Sequence, residues 1–551
     1  MSVAGSVRRV QGAHSRKGPR DVVSRVRKAW GESPFYQAQL KGPAPDRLLY
    51  QPEDPYAPDK TVAQSLMRGR LALGDESVDC EGEIEKLWDL PAPDGALNAY
   101  LQEFSWLRHL SALGDDGKAP ARTLMRAWLD RYERWSAESW EPYFVSERLV
   151  QLCSHYPLLL SGTDALWRSR VLACMARQTR HLARTAHRSA TGFDRLMTSL
   201  GLGVAGYCLP GCEGPAERGL EMARRELRIQ LRPDGGHVSR NPSRQLKLAL
   251  RLQALLKAIE ARGFQAPGFL RHMVQRTAAM ATFFRCADGR LVVFNGGYED
   301  DAKALIAAQK GSDADFGPTD FARHSGYHKL TAARALLIVD TANDAGAGFK
   351  SGGSLHFSSA RSRMLGNCGN GAHRGQTWRK ALEQRSAHSG LSFEDGGPQP
   401  SFGEVSHRRA EEPTGHLLEF ERKLTGAQAA EGVYLRRLFL SPNGADLRGE
   451  ETLTGLTAAE LARAVWRFHL HPGLRASLAR DRKSVILLLP NKEGWRFKSN
   501  CRELALEKSV YCGASGAPAA SEQIVIRGAH FETRDPAALS VKWALQRLDG
   551  V

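Results

Sequence analysis

Between about residues 95 and 285 the apolar side chains recur every three or four positions, the spacing of one face of an α-helix. Leu97, Tyr100, Leu101, Phe104, Leu107 and Leu110 trace one such face. Leu124, Met125, Trp128, Leu129 and Tyr132 trace another beyond a break at Pro120. The same spacing runs through residues 171–182, 220–231, 246–259 and 269–284, and Gly- and Pro-containing stretches such as 210–215 and 232–236 interrupt it. This predicts a series of helical hairpins without a strict sequence period, either a solenoid or a ring of paired helices. Beyond Ser325 the pattern changes to short β-like runs, among them 334–340, 417–424, 433–440, 484–490 and 523–528. Glycine-containing turns at 442–446 and 492–495 separate several of these runs, as in antiparallel sheets packed into a sandwich. The predicted organisation is a basic, partly disordered arm over residues 1–40, a helical domain over 41–320 and a β-sandwich over 321–551.

Composition narrows the partners. The 551 residues are 42% hydrophobic and 25% charged, which excludes collagen-like, fully disordered and disulfide-scaffold classes. Lys and Arg number 77 against 60 Asp and Glu, a net charge of +17 that favours polyanions: nucleic acid, an anionic membrane surface or an acidic polysaccharide. The nine cysteines are scattered and show no zinc-site spacing, which fits reduced thiols. The amino-terminal residues are basic but have no apolar run, so no secretory signal is expected and a cytoplasmic location is predicted, with the cell envelope or periplasm as the alternative. The longest uncharged stretch, residues 196–212, holds Pro210 and four glycines and is too short for a comfortable bilayer span. No phosphate-binding glycine loop and no nucleic-acid module is present, so nucleic acid is the weaker polyanion reading.

An ordered set of segments carries a resemblance. Residues 232–245 (RPDGGHVSRNPSRQ), 288–297 (DGRLVVFNGG), 325–330 (SGYHKL), 378–389 (WRKALEQRSAHS), 446–450 (DLRGE), 466–472 (WRFHLHP) and 495–497 (WRF) together resemble the heparinase II/III-like polysaccharide lyases. That resemblance implies an incomplete (α/α) toroid followed by an antiparallel β-sandwich, in agreement with the periodicity. It also implies β-elimination on a uronic-acid polysaccharide. Such chemistry needs donors that offset the uronate carboxylate, a base for the neighbouring C5 proton and an acid for the departing glycosidic oxygen.

The resemblance places candidates for these tasks at five positions. His237 and Asn241 lie in the segment that resembles the carboxylate-neutralising one, although Asn241 before Pro242 also suits a turn and His237 a helix cap. Tyr298 stands where the family's catalytic Tyr is implied, but Glu299, Asp300 and Asp301 beside it would oppose ionisation of its phenol. Tyr327 is the alternative phenol, or a packed strand residue, and His388 matches a site-lining His. One departure stands out: the family's His-x-His-x-Asp strand corresponds to residues 348–359 (GFKSGGSLHFSS), with His356 displaced, and Asn367 stands where an acidic ligand is expected. No family-type zinc and no other cofactor is therefore predicted. Arg-rich patches at 361–363, 407–409, 435–437 and 478–483 suit carboxylates and sulfates, or else line solvated strand edges. The leading expectation is a lyase for an acidic glycan; the alternative is a catalytically diminished, polyanionic-glycan-binding protein of the same fold.

Overall fold

The computed structural model describes residues 28–548 except 75, 90–94, 312–315, 344–347, 372–373, 398, 426–431, 515–516 and 532–537. Most of the basic arm, residues 1–27, lies outside the described residues. Within residues 28–40 of that arm, the helix Pro34–Gln39 docks on the helical domain through buried Tyr36, whose hydroxyl meets His181 Nδ1 at 2.6 Å.

The amino-terminal domain is a ring of antiparallel helical hairpins. Its longest members are Lys118–Tyr132, Pro142–Ser154, Ala165–Thr185, Phe193–Cys208, Glu213–Gln230, Pro242–Ala261 and Gly268–Phe283. The face traced by Leu97 to Leu110 is buried as predicted, but it is split into Ala96–Gln102 and Trp106–Leu110. Phe104 between them adopts a left-handed backbone with φ of 61°, which turns the chain while keeping its ring in the core. Pro120 does not break the next helix; it sits in the first turn of Lys118–Tyr132, where a missing N–H costs nothing.

The helical domain, which also carries the small hairpin of Arg70–Leu73 with Glu76–Asp79, ends with Ala302–Gln309, and the first strand of the sandwich is Phe321–Ala322. The carboxy-terminal domain is a sandwich of antiparallel sheets. One sheet places Asp446–Thr454 between Gly432–Leu440 and Ala538–Arg547. The other runs from Ala505–Tyr511 through Ala519–Arg527, Ala464–Leu470, Ser362–Gly366, Leu355–Ser359, Ala335–Asp340 and Tyr327–Ala332 to Phe321–Ala322. Gly432–Leu440 alternates buried and more exposed positions with period two, so Tyr434, Leu438 and Leu440 enter the core. Phe357 against Trp495, and Phe468 against Trp543, join the layers. Arg436 is buried there too, paired with Glu451 at 2.7 Å.

A third apolar cluster couples the domains. Phe284 and Phe294 from the helical side pack edge-on against the Tyr327 ring, with Leu336 and Ile338 behind it. All nine cysteines are free thiols, eight of them buried. Among the described residues no helix is long and apolar enough to cross a membrane.

Candidate functional site at the domain junction

The segment 232–245 turns back on itself after the helix Glu213–Gln230, with an isolated bridge between Leu231 and His237. Gly235 has φ of 84° and lies so close to the Arg276 carbonyl that a Cβ would stand 2.5 Å from it, so only glycine fits this turn. His237 is buried with both ring nitrogens engaged: Nδ1 with Ser239 Oγ at 2.7 Å and Nε2 with Gln230 Oε1 at 2.9 Å. Burial, aided by Arg244 and Arg232, pushes its pKa down to about 3, so the imidazole is neutral. Asn241 caps the helix Pro242–Ala261, its Oδ1 accepting from Arg244 N at 3.0 Å. Its Nδ2 donates one hydrogen to the Asn295 carbonyl at 2.9 Å, and an amide nitrogen carries a second. Further along the same helix, Lys247 and Arg251 line a cavity of about 230 Å³ together with Tyr56, Glu103 and Glu147.

Asn295 opens the loop that carries Tyr298, and two clamps hold that loop. At its start, Asn295 Nδ2 donates to Tyr327 Oη at 2.6 Å, and Ser351 Oγ donates to Asn295 Oδ1 at 2.6 Å. The Tyr327 hydroxyl donates to the Arg240 carbonyl at 2.8 Å. The Arg240 guanidinium lies 4.8 Å over the Tyr327 ring and forms a buried ion pair with Asp340. Burial raises the pKa of Tyr327, and raises that of Asp340 against the pull of Arg240. At the other end, burial opposes ionisation of Glu299, but His471 Nε2 at 3.1 Å, the Tyr511 hydroxyl at 2.6 Å and the charge of Arg363 hold its pKa at about 2. The Glu299 backbone N–H also donates to the Gly513 carbonyl at 2.7 Å.

Tyr298 sits between the clamps, half-buried. Its backbone N–H donates to Ser243 Oγ at 2.7 Å, which ties it to the first turn of the helix capped by Asn241. Burial, then Asp300 and Cys512, push its phenol up to about 12. The three neighbouring acids therefore act differently. Asp300 opposes ionisation, Glu299 turns to the sandwich, and Asp301 caps the helix Ala302–Gln309.

The sandwich supplies the facing wall. His388 follows the short turn Arg385–Ala387 and is buried, with neither ring nitrogen hydrogen-bonded among the described residues. Burial pushes its pKa down to about 3. Its ring stands edge-on to Phe349 at 6.3 Å, and the Phe349 ring covers Gly296, where a Cβ would come within 2.2 Å of it. Asn367 accepts from Ser389 N at 3.0 Å and donates to the Val293 carbonyl at 2.8 Å, while Asn370 donates to the Gly296 carbonyl at 3.0 Å. The loop 293–298 thus touches both Asn241 and the wall that bears His388. Of the five sequence candidates, Asn241, Tyr298 and His388 gather about this loop. Tyr327 lies in the clamp beneath it, fully buried, and His237 stands behind Asn241 in its own hydrogen-bonded turn.

A zinc ion does not fit the residues that replace the family's His-x-His-x-Asp strand. His356 is buried against Cys286 Sγ at 3.3 Å, both polar atoms of the Asn367 amide are engaged, and the cation beside Glu299 is Arg363 at 3.7 Å. Among the described residues no group of three or more His, Cys, Asp or Glu is placed to hold a metal. Two of the Arg patches also differ from the strand-edge expectation, since Arg363 and Arg436 are buried and paired with Asp288 and Glu451. Sequence reading missed Arg240, Asn295, Asp340 and Glu299. The one local signal was a Gly-Gly pair flanked by polar residues in 294–299 (FNGGYE).

Comparison with known proteins agrees with this architecture. Residues 317–543 match the family described as heparinase II/III-like, C-terminal. The chain is 29% identical to the FtsZ-localized protein C of Caulobacter vibrioides, over 96% of this chain and 95% of that protein. A crystal structure of heparinase III superposes with a TM-score of 0.66 at 14% identity, covering 89% of this chain and 85% of that one. A heparan sulfate lyase HepC mutant from Pedobacter heparinus gives 0.59 at 12% identity, over 94% and 88%. At these identities the solved structures show a shared fold.

Proposed function

From the premise that this chain is a heparinase II/III-like protein, we propose that it acts on an acidic, uronic-acid glycan by β-elimination at the junction of the toroid and the sandwich. The carrying observation is that one loop, 293–298, bears Tyr298 and is bonded both to Asn241 and to the wall that holds His388. The remaining N–H of Asn241 offsets the uronate carboxylate and the enolate-like charge that grows on it. The neutral His388 imidazole, with both nitrogens unengaged, accepts the C5 proton. The C5–H electron pair forms the C4–C5 double bond as the C4–O bond breaks, and the Tyr298 phenol, protonated up to about pH 12, gives its proton to the leaving oxygen. His237 and Tyr327 act as positioning residues, through the turn that presents Asn241 and through Asn295. Lys247 and Arg251 give the polymer a polar cavity further along the Asn241 helix.

The test is absorbance near ~230 nm, where the unsaturated product of elimination appears, on heparan, chondroitin, hyaluronan, alginate and bacterial capsular glycans. Asn241→Ala should lower the rate by about 10²–10³. No product on any of these glycans overturns the reading.

A second reading has its own support. His388 at about 3 and Tyr298 at about 12 are both displaced from neutrality, which weakens proton transfer at physiological pH. In addition, the relative matched along nearly its whole length is named for localisation with FtsZ, not for an activity. On this reading the chain is a catalytically diminished glycan-binding protein with a role in the cytoplasm at FtsZ. Glycan-array binding without product, together with co-localisation with FtsZ, would favour it; a purely periplasmic pool on fractionation would exclude it.

A further inference from the structure

We propose that the groove between the helices Glu213–Gln230 and Gly268–Phe283 is a docking site for an acidic, amphipathic segment of a partner protein. The groove has a volume of about 390 Å³, within the range of about 300–1,000 Å³ typical of ligand sites. Its floor is apolar: Leu227 and Leu231, one helical turn apart, face Phe269 and Met273 across it. Its rim is formed by Arg224, Arg228, Arg232 and Arg276, and no carboxylate lines it.

The guanidinium groups are poorly neutralised from within the chain. Arg228 is exposed and has neither ion pair nor hydrogen bond among the described residues. Arg232 donates to the His324 carbonyl and feels Asp234 and Asp340 only at longer range, with no ion pair among the described residues. Among the described residues Arg276 reaches only the His272 ring, at 3.4 Å. Arg224 lies 5.3 Å over the Phe269 ring, with its nearest carboxylate, Glu221, at 3.9 Å. Four like charges around an apolar floor call for an occupant that brings carboxylates at its edges and bulky aliphatic side chains at its centre, as an amphipathic helix laid in a groove does.

Other occupants fit less well. A glycan needs side-chain amides or hydroxyls for its own hydroxyl groups, and the groove offers none. Single-stranded nucleic acid needs an open aromatic face, and Arg224 already covers that of Phe269. The chain's own amino-terminal arm has the wrong sign, with Arg8, Arg9, Arg16, Lys17, Arg20, Arg25, Arg27 and Lys28 against Asp21 and Glu32. The proposal does not depend on elimination chemistry, since none of these residues belongs to the junction site.

The experiment uses the full chain and two synthetic helical peptides. Both carry Leu at positions i, i+4 and i+7; one has Glu and Asp at its remaining charged positions, the other Lys. In fluorescence anisotropy the acidic peptide should bind and its Lys twin should bind at least about 10-fold more weakly, with affinity falling as salt rises. The double variant Arg228→Glu with Arg276→Glu should weaken the acidic peptide about 10-fold or more while leaving the circular dichroism spectrum unchanged. The Lys double variant at the same positions should retain binding. Absence of acidic-peptide binding, or binding indifferent to the Glu variants, overturns the proposal. So does preferential saturation of the groove by phosphatidylglycerol vesicles or oligo-dT, read as Arg228/Arg276-dependent displacement of the peptide.

Discussion

The two clamps on the Tyr298 loop are built from different chemistry, although each joins a helical-side residue to the sandwich. The first is sealed: Arg240 and Asp340 are 1% and 0% exposed, and Tyr327, Asn295 and Ser351 complete their hydrogen bonds. The second is open at one edge: Glu299 is 9% exposed but its partner His471 is 28% exposed. A sealed ion pair tolerates no loss of a partner, because the remaining charge has no access to water. The half-open one responds to solvent, and its carboxylate pKa of about 2 makes it a pH-dependent fastening. The loop between them is thus fixed firmly at Asn295 and adjustably at Glu299, with Tyr298 next to the adjustable end.

The most severe break in that contrast is Arg240→Ala. It leaves Asp340 buried beside Ser351 and Asn295 without its ion-pair partner, with only the longer-range charge of Arg422 to offset it, and should cost about 3–5 kcal/mol. Because Arg240 bridges the domains, denaturant unfolding followed by far-ultraviolet and tryptophan signals should separate into two transitions. A loss below about 1 kcal/mol would mean that the apolar contacts of Phe284 and Phe294, not the ion pair, fasten this end.

Glu299→Gln should cost less, about 1.5–3 kcal/mol, the worth of hydrogen bonds to a charged acceptor. Its pH dependence separates the clamps. Folding lowers the Glu299 pKa from 4.5 to about 2, so its stabilisation is complete above about pH 4.5 and is lost as pH falls through that interval towards 2. The difference in unfolding free energy between wild type and Glu299→Gln should therefore be large at pH 7 and shrink by pH 3. A difference that is flat with pH would show that His471 and Tyr511 do not act through the carboxylate charge.

Little of this contrast could be read along the chain, and the reason is physical. Helical and strand periodicity is a local property, so the faces at 124–132 and 246–259 and the runs at 417–424 and 433–440 were legible, as was the change near residue 320. Phe104 was misread as a continuous helical position because a left-handed residue can keep its side chain in register with the core. The clamps pair residue 240 with 340, and 299 with 471 and 511, and no spacing rule reaches across a domain junction. Glu299 illustrates the cost: adjacency suggested that it would repel charge on Tyr298, whereas its carboxylate turns to Tyr511 and His471 of the sandwich. Asn241 and His388 were found only because the segments around them resemble those of a family.

The smallest effect on stability should come from Tyr298→Phe, and that smallness is informative. The backbone at 298 is held by Ser243 and by the clamps on either side, so the loop keeps these fastenings when the phenol oxygen and its own contacts are removed. Removing one hydroxyl from a half-buried ring with its aromatic packing intact should change the unfolding free energy by no more than about 1 kcal/mol. The same change removes the proposed proton donor to the leaving oxygen, so product formation should fall by about 10²–10⁴ while glycan affinity stays within a few-fold of wild type. Arg240→Ala and Glu299→Gln should behave oppositely, lowering stability first and turnover only as the loop loosens. If Tyr298→Phe instead destabilised the protein as much as Glu299→Gln does, the phenol would be a third fastening of the loop. Proton donation to the glycosidic oxygen would then have to come from another group on the His388 wall.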